Sequence, residues 1–349
     1  MTTALYVGET RGHLVLPHVG YVDALRRWGW NAVHMSIPEG AQTDPREFDL
    51  ILWNGPIDER FLARVGSAQT LVAMNGAGDD ISYYLRHRGK IALATTSLFY
   101  FDEPGLEIKA RHLNPKRMIS RQYVWLTRYM RRFPRFASPR FWRDLGTRLL
   151  YLPFASDPAV FYPLPHVDHD LVWSFVGHIR ERVVIKRLME ASRAQHWNYA
   201  VHSPETGNPL DPSGLNRLYN RTRVGVNEHH RLLFGRELNE RTFDLGMAGL
   251  IQVSDMGWLA APVIGPFGCF YSGNIASRGE VELAVALLQS ANTSMSRDAV
   301  HGFFKRWHSF EARLATLSAA LGQDLSQGRV SIKNGIPTVN GIEHVPFIM

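Results

Sequence analysis

The residues best suited to chemistry lie in three polar segments of the second half, each following an apolar run. In Ser174–Lys186 (SFVGHIRERVVIK) the run ends in Gly177, and Arg180, Arg182 and Lys186 come next. Glycine lets backbone approach a ligand, and clustered cations match the charge of a diphosphate. Basic residues at a helix start oppose the helix dipole, so plain surface decoration explains them poorly. In VGVNEHH, Asn227 and the tandem His229-His230 close a short strand-like run. Adjacent strand residues face opposite sides and no cysteine lies near, so one polar, ligand-facing side chain is expected rather than a metal centre. In Asn239–Asp255 (NERTFDLGMAGLIQVSD) a polar start opens a helix. Its first amides are unpaired and suit a phosphate, with Arg241 and Thr242 beside them, although Asn, Glu and Thr are also ordinary capping residues. Asp244, one turn further in, can accept hydrogen bonds from ribose hydroxyls.

The first half offers fewer such groups. Gly12 and His13 follow the apolar run ALYVG, and His13 can orient a hydroxyl or act as a base. Asn54–Pro56, Asn75–Asp80 and Phe101–Pro104, which holds Asp102 and Glu103, occupy equivalent places after later runs. Gly76-Ala77-Gly78 lacks the third glycine and the distal acid of a dinucleotide fingerprint, and reads as a turn.

Alternating elements position these residues. Ala4–Gly8, Asn31–Ile37, Asp49–Trp53, Thr70–Met74 and Lys90–Thr95 read as strands, with helical spacing between most of them. Such β-α alternation predicts a parallel sheet with helices on both faces and ligands at the carboxyl ends of its strands. Residues 151–165 (YLPFASDPAVFYPLP) carry four prolines, continue neither helix nor central strand, and read as a linker. Alternation then restarts, with strands at Leu171–Val176, Asn198–His202, Val224–Asn227 and Ile251–Val253. Helices fall near Arg182–Ala194, Leu215–Asn220 and Glu240–Ala248. The expected architecture is α/β, with two Rossmann-like domains facing across a cleft. The first spans 1–164 and the second 165–317, followed by a 318–349 tail in which Asn334-Gly335 and Asn340-Gly341 predict a β-hairpin.

Composition sets the wider limits. The 349 residues are 45% hydrophobic and 20% charged, an ordinary globular balance, and the single cysteine, Cys269, excludes a disulfide framework. Glu9 and Arg11 interrupt the N-terminus, so no secretory signal is expected. The longest nearly uncharged apolar stretch, Ile91–Phe101, is far short of the roughly 20 residues of a membrane span. A cytoplasmic protein is predicted. Its net charge of +7 is concentrated between Arg121 and Arg148, where eight arginines, Arg128 and Arg131 among them, face one acid, Asp144. Interleaved aromatics there fit a peripheral contact with the inner membrane face, or an acceptor site for an anionic lipid-linked or nucleic-acid substrate. The bland reading is a solvated helix pair with its aromatics packed inward, and Pro134 and Pro139 break any single helix.

The order YLPFASDPAVFYP, SFVGHIRERVVIKRL, LNRLYNRTRVGVN, RTFDLGMAGLIQVSD and HSFEARL, over roughly residues 150–315, resembles the bacterial group-1 glycosyltransferases of the spore-maturation-protein (CgeB-like) type. YFDEP at 100–104 resembles a segment of their acceptor-side domain. The resemblance implies a GT-B fold and transfer of a sugar from a nucleoside diphosphate sugar of UDP or GDP type, with retention and no other cofactor. It places Gly177, Arg180 and Lys186 at the donor pyrophosphate, and His202 and Ser203 near the base. It places Asn227 and His230 at the sugar–phosphate end, and Asn239, Arg241, Thr242 and Asp244 on the helix closing over diphosphate and ribose. Gly12, Glu103, Arg128 and Arg131 fall on the acceptor side, and no metal is required. An inverting enzyme would use His13 or Asp102 as base. Related families often carry two glutamates eight positions apart; here Arg236 and Asp244 stand there. A nucleotide-sugar binder without turnover is the alternative, as is a nucleic-acid binder using residues 121–148.

Overall fold

Two units make up the chain in the computed structural model, Met1–Pro153 with Ile348–Met349, and Phe154–Phe347. It describes residues 2–8, 15–55, 57–75, 92–95, 149–180, 182–206, 210–229, 238–255, 257–271, 278–290, 295–326, 331–333, 336–339 and 342–343. The first unit is built on six parallel strands: β1 (Thr3–Val7), β2 (Asn31–Met35), β3 (Leu50–Asn54), β4 (Thr70–Asn75), β5 (Ala92–Thr95) and β6 (Leu149–Tyr151). They lie in the order β2-β1-β3-β4-β5-β6. Leu5, Val7, Ile51 and Trp53 are fully buried, and Trp53 packs against Phe61 with ring centroids 4.7 Å apart. Runs such as LILWN carry no alternation because a parallel sheet is covered on both faces. Helices α1 (Val15–Arg27), α2 (Ile37–Gln42) and α3 (Glu59–Arg64) return the chain between strands. A Ser36–Glu39 capping box starts α2, and the Asp58 carboxylate accepts the first amides of α3.

The second unit has five parallel strands: β7 (Leu171–Val176), β8 (Tyr199–His202), β9 (Thr222–Asn227), β10 (Ile251–Ser254) and β11 (Gly268–Phe270). Their order is β11-β10-β9-β7-β8. The chain moves from β7 to β8 on one side and then to β9 on the other, so the carboxyl ends of β7 and β9 flank the topological switch point. Its helices are α4 (Val183–Ala194), α5 (Pro212–Arg221), α6 (Glu240–Met247), α7 (Gly257–Ile264), α8 (Arg278–Ser290), α9 (Arg297–His308) and α10 (Phe310–Leu321). Val184, Ile185 and Leu188 recur at helical spacing and bury the inner face of α4 against Trp173, Phe175 and Val224. No described helix is long and apolar enough to cross a membrane. In the tail, β12 (Ser331–Lys333), β13 (Ile336–Val339) and β14 (Ile342–Glu343) form an antiparallel sheet where the sequence predicts a hairpin.

The boundary between the two units, at Pro153–Phe154, falls inside the proline-rich run 151–165 expected to be a linker. Leu149–Tyr151 completes the first sheet as β6, and the residues after Pro153 are fastened to the second unit. The amides of Tyr162 and Leu164 donate to the Asn216 and Asn220 side chains at 3.2 and 2.7 Å, and the Ser156 amide donates to the His308 carbonyl. Ala155 and Phe161 are buried. Prolines bar this stretch from continuing a helix or central strand, so its amides find partners in side chains and in backbone carbonyls outside any ladder.

Candidate functional site

At the switch point of the second sheet stands Arg241, in the first turn of α6. Its guanidinium lies 4.1 Å from the centroid of the buried Phe175 ring, and Nη1 donates to Asn227 Oδ1 at 2.9 Å. Gly177, directly after β7, has φ of +140°, and a Cβ there would collide with that guanidinium. Only glycine meets both demands, the backbone region and the close approach. Burial lowers the Arg241 value to about 10, so it keeps its charge at neutral pH. A half-buried cation over an aromatic face, beside backbone stripped of side chain, has the chemistry to attract an anion.

Behind Arg241 lies a buried polar network. Asn227 Nδ2 donates to Thr242 Oγ1 at 2.8 Å and to Asn239 Oδ1 at 3.0 Å, and Asn227 Oδ1 accepts from Asn239 Nδ2 at 3.1 Å as well as from the guanidinium. Asn239 caps α6 by accepting the Thr242 amide at 3.2 Å. That amide, expected from the sequence to await a phosphate, is therefore engaged by the protein. The His229 ring spans from Asp255 Oδ1, at 2.5 Å from Nδ1, to Thr242 Oγ1, at 3.1 Å from Nε2. Asp255 also accepts the His229 amide at 2.9 Å. Of the tandem pair, the sequence singles out His230, which lies outside the described residues; His229 is the one joined to this network. The sequence assigns no role to His229 or Asp255. The available signal was that both directly follow strands whose carboxyl ends meet.

The basic loop after β7 has an unforeseen partner. The buried Glu228 carboxylate accepts the Ile185 amide at 3.1 Å, in the first turn of α4, where Arg182 at the N-cap position makes no side-chain cap. An internal carboxylate thus meets the start of this helix, where its own first turn carries no acid. Lys186 Nζ donates to the Arg180 carbonyl at 2.8 Å, and both side chains are exposed. Across the loop, Glu205 Oε2 accepts the Ile179 amide at 3.0 Å and the hydroxyl of buried Ser203 at 2.7 Å. The Ser203 hydrogen bond, with the Ile179 amide, holds the Glu205 carboxyl below its ordinary range. The Gly177 amide donates to the His202 carbonyl at 2.9 Å, which ties the loop to β8.

Asp244 sits one turn beyond Arg241. Burial pushes its carboxyl up to about 7; the Ser156 hydroxyl and Arg241 draw it down, and Glu240 adds to the rise. Burial and the nearby Asp244 also raise the Tyr219 hydroxyl. The structure thus gathers Gly177, His202, Ser203, Asn227, Asn239, Arg241 and Thr242 around the carboxyl ends of β7, β8 and β9, with Arg180 and Lys186 on the adjoining loop and helix start. Gly12, His13, Asp102, Glu103, Arg128, Arg131, His230 and Arg236 lie outside the described residues. Among the described residues no three His, Cys, Asp or Glu side chains group as a metal site.

No protein-family model and no characterised protein matches this sequence. Solved structures do match over nearly the whole chain. Sucrose-phosphate synthase from Thermosynechococcus elongatus superposes with a TM-score of 0.54 at 9% identity, over 92% of this chain and 99% of that one. AviGT4, a glycosyltransferase involved in avilamycin A biosynthesis, superposes with a TM-score of 0.51 at 8% identity, over 93% and 99%. Together with the two parallel sheets, these likenesses identify the fold as GT-B.

Proposed function

We propose that this GT-B chain is a glycosyltransferase that takes its sugar from a nucleoside diphosphate sugar held by the second unit. One observation supports this above the others: a charged, half-buried guanidinium stands at the topological switch point against Gly177, the place in such a sheet where ligands bind. In sugar transfer the departing diphosphate gains negative charge. Arg241, with Arg180 and Lys186 at the rim, would stabilise that charge as the bond to the anomeric carbon breaks, and losing one such preorganised donor typically costs about a hundredfold in rate. Both solved structures named above are of enzymes that handle sugars by their printed names, which agrees with this chemistry. Retention is proposed on the resemblance in sequence, and an anionic acceptor on the +7 carried by residues 121–148.

A thermal-shift series with UDP, GDP, dTDP, CDP and ADP tests the assignment. A nucleotide at a hundred times its Kd should raise the midpoint by roughly 5–10 °C. Arg241→Ala should weaken binding of that nucleotide by tenfold or more, and Arg180→Ala by less. Silence from all five nucleotides refutes the donor site.

A further inference from the structure

We propose that His229 and Asp255 are positioning residues for Arg241, a role that rests on the donor-site reading above. Asp255, His229, Thr242, Asn227 and Arg241 form an unbroken chain of contacts at 2.5, 3.1, 2.8 and 2.9 Å. Its first four members are buried, with exposures of 7% or less, and Arg241 at its end is half-buried.

The chain has a direction. Asn227 can present either end of its carboxamide to Arg241; the amide nitrogen would repel the guanidinium, and the oxygen attracts it. Thr242 and Asn239 accept from the nitrogen, and the oxygen takes donors from Asn239 Nδ2, at 3.1 Å, and from the guanidinium; the Thr242 amide, donating to Asn239 Oδ1, fixes this orientation. The Thr242 oxygen is in turn held by the His229 ring, and the ring by Asp255, which also grips the His229 amide at 3.1 and 2.9 Å. The Asp255 amide donates to the Asn227 carbonyl at 3.2 Å, closing the loop between the ends of β9 and β10. Ring, hydroxyl and amide therefore adopt one arrangement, in which Arg241 meets a ligand without first reorganising. Hydroxyl, imidazole and carboxylate in series also match a nucleophile triad, but Thr242 is wholly buried and its hydroxyl is shared by two asparagines, so it faces no substrate.

The test is calorimetric titration of the full-length chain with UDP, GDP and inorganic pyrophosphate. His229→Phe, His229→Gln, Arg241→Ala and the His229→Phe/Arg241→Ala double variant are compared with wild type, and thermal midpoints are recorded for each. His229→Phe should weaken binding roughly tenfold, the scale of one hydrogen bond to a charged group. His229→Gln, which restores one polar contact to Thr242, should recover most of the loss. In the Arg241→Ala background, His229→Phe should cost nothing more, because its effect passes through the guanidinium. A purely structural role would lower the midpoint and give additive losses. Should His229→Phe not fold, Thr242→Val, which keeps shape and removes the hydroxyl, replaces it in the same cycle. Unchanged affinity or additive losses overturn the positioning role and leave the donor site standing. Wild-type protein that binds none of the three probes overturns both.

Discussion

Arg241 and Asp244 share one helical turn, and burial works on them in opposite directions. It brings the guanidinium down to about 10, where it stays charged, and the carboxyl up to about 7, where it titrates near neutrality. Folding raises the Asp244 value from 3.8 to about 7, so the native state holds that proton more tightly than the unfolded chain. The corresponding stability is fully present below about pH 4 and is lost as pH rises through 7. Asp244→Asn should therefore be more stable than wild type at pH 8, by on the order of 2 kcal/mol because partial exposure screens part of the shift. Thermal melts at pH 4 and pH 8 check this, since the gap should close at the lower pH. Equal midpoints at pH 8 would mean that the ionised carboxylate is fully compensated.

Among the elements, α4 shows how a helix can borrow its cap. Its N-cap residue is Arg182, which supplies no acceptor, and Glu228, arriving from the end of β9, fills that place. Glu228→Leu should leave the Ile185 amide buried and unpaired, at a cost of about 1–3 kcal/mol. Glu228→Gln, which keeps an acceptor oxygen, should cost less. Hydrogen exchange over Val183–Leu188 reads the effect directly: faster exchange in the leucine variant is expected, and unchanged protection there would show that Glu228 is not the cap. The helix itself was legible in the spacing of Val184, Ile185 and Leu188. Its cap was not, because Glu228 and Ile185 lie 43 positions apart.

At the scale of the whole molecule, residues 154–164 belong to the second unit. Arg313, fully buried, donates to the Phe154 carbonyl at 2.8 Å and to the Trp307 carbonyl at 2.9 Å, and its guanidinium stands 5.6 Å from the Phe243 ring centroid. Asn216 and Asn220 accept the amides of Tyr162 and Leu164. A fragment Phe154–Met349 should fold, and one starting at His166 should melt at least about 5 °C lower, given that each kcal/mol moves a midpoint by about 2–4 °C in a domain of this size. Circular-dichroism melts of the two fragments decide this; identical midpoints would show that the strap contributes nothing.

The sequence by itself determined the alternation of strands and helices, the restart after the proline-rich run, and the edge of the second sheet where the polar residues collect. Those features are carried by near-neighbour spacing, which survives in a linear string. It also marked Gly177 and Asn227 by their place after apolar runs, and Asn239 and Arg241 by the polar start of a helix. Tertiary structure alone decided which groups face one another: that Arg241 lies over Phe175, that Glu228 closes α4, and that His229 is pinned by Asp255. It also decided that 154–164 is a strap. Each of these depends on strand order, since β9 pairs with both β7 and β10 and brings Gly177, Asn227 and Asp255 together from positions up to 78 residues apart. Periodicity along a chain records which face a side chain takes, and holds no record of what that face will meet.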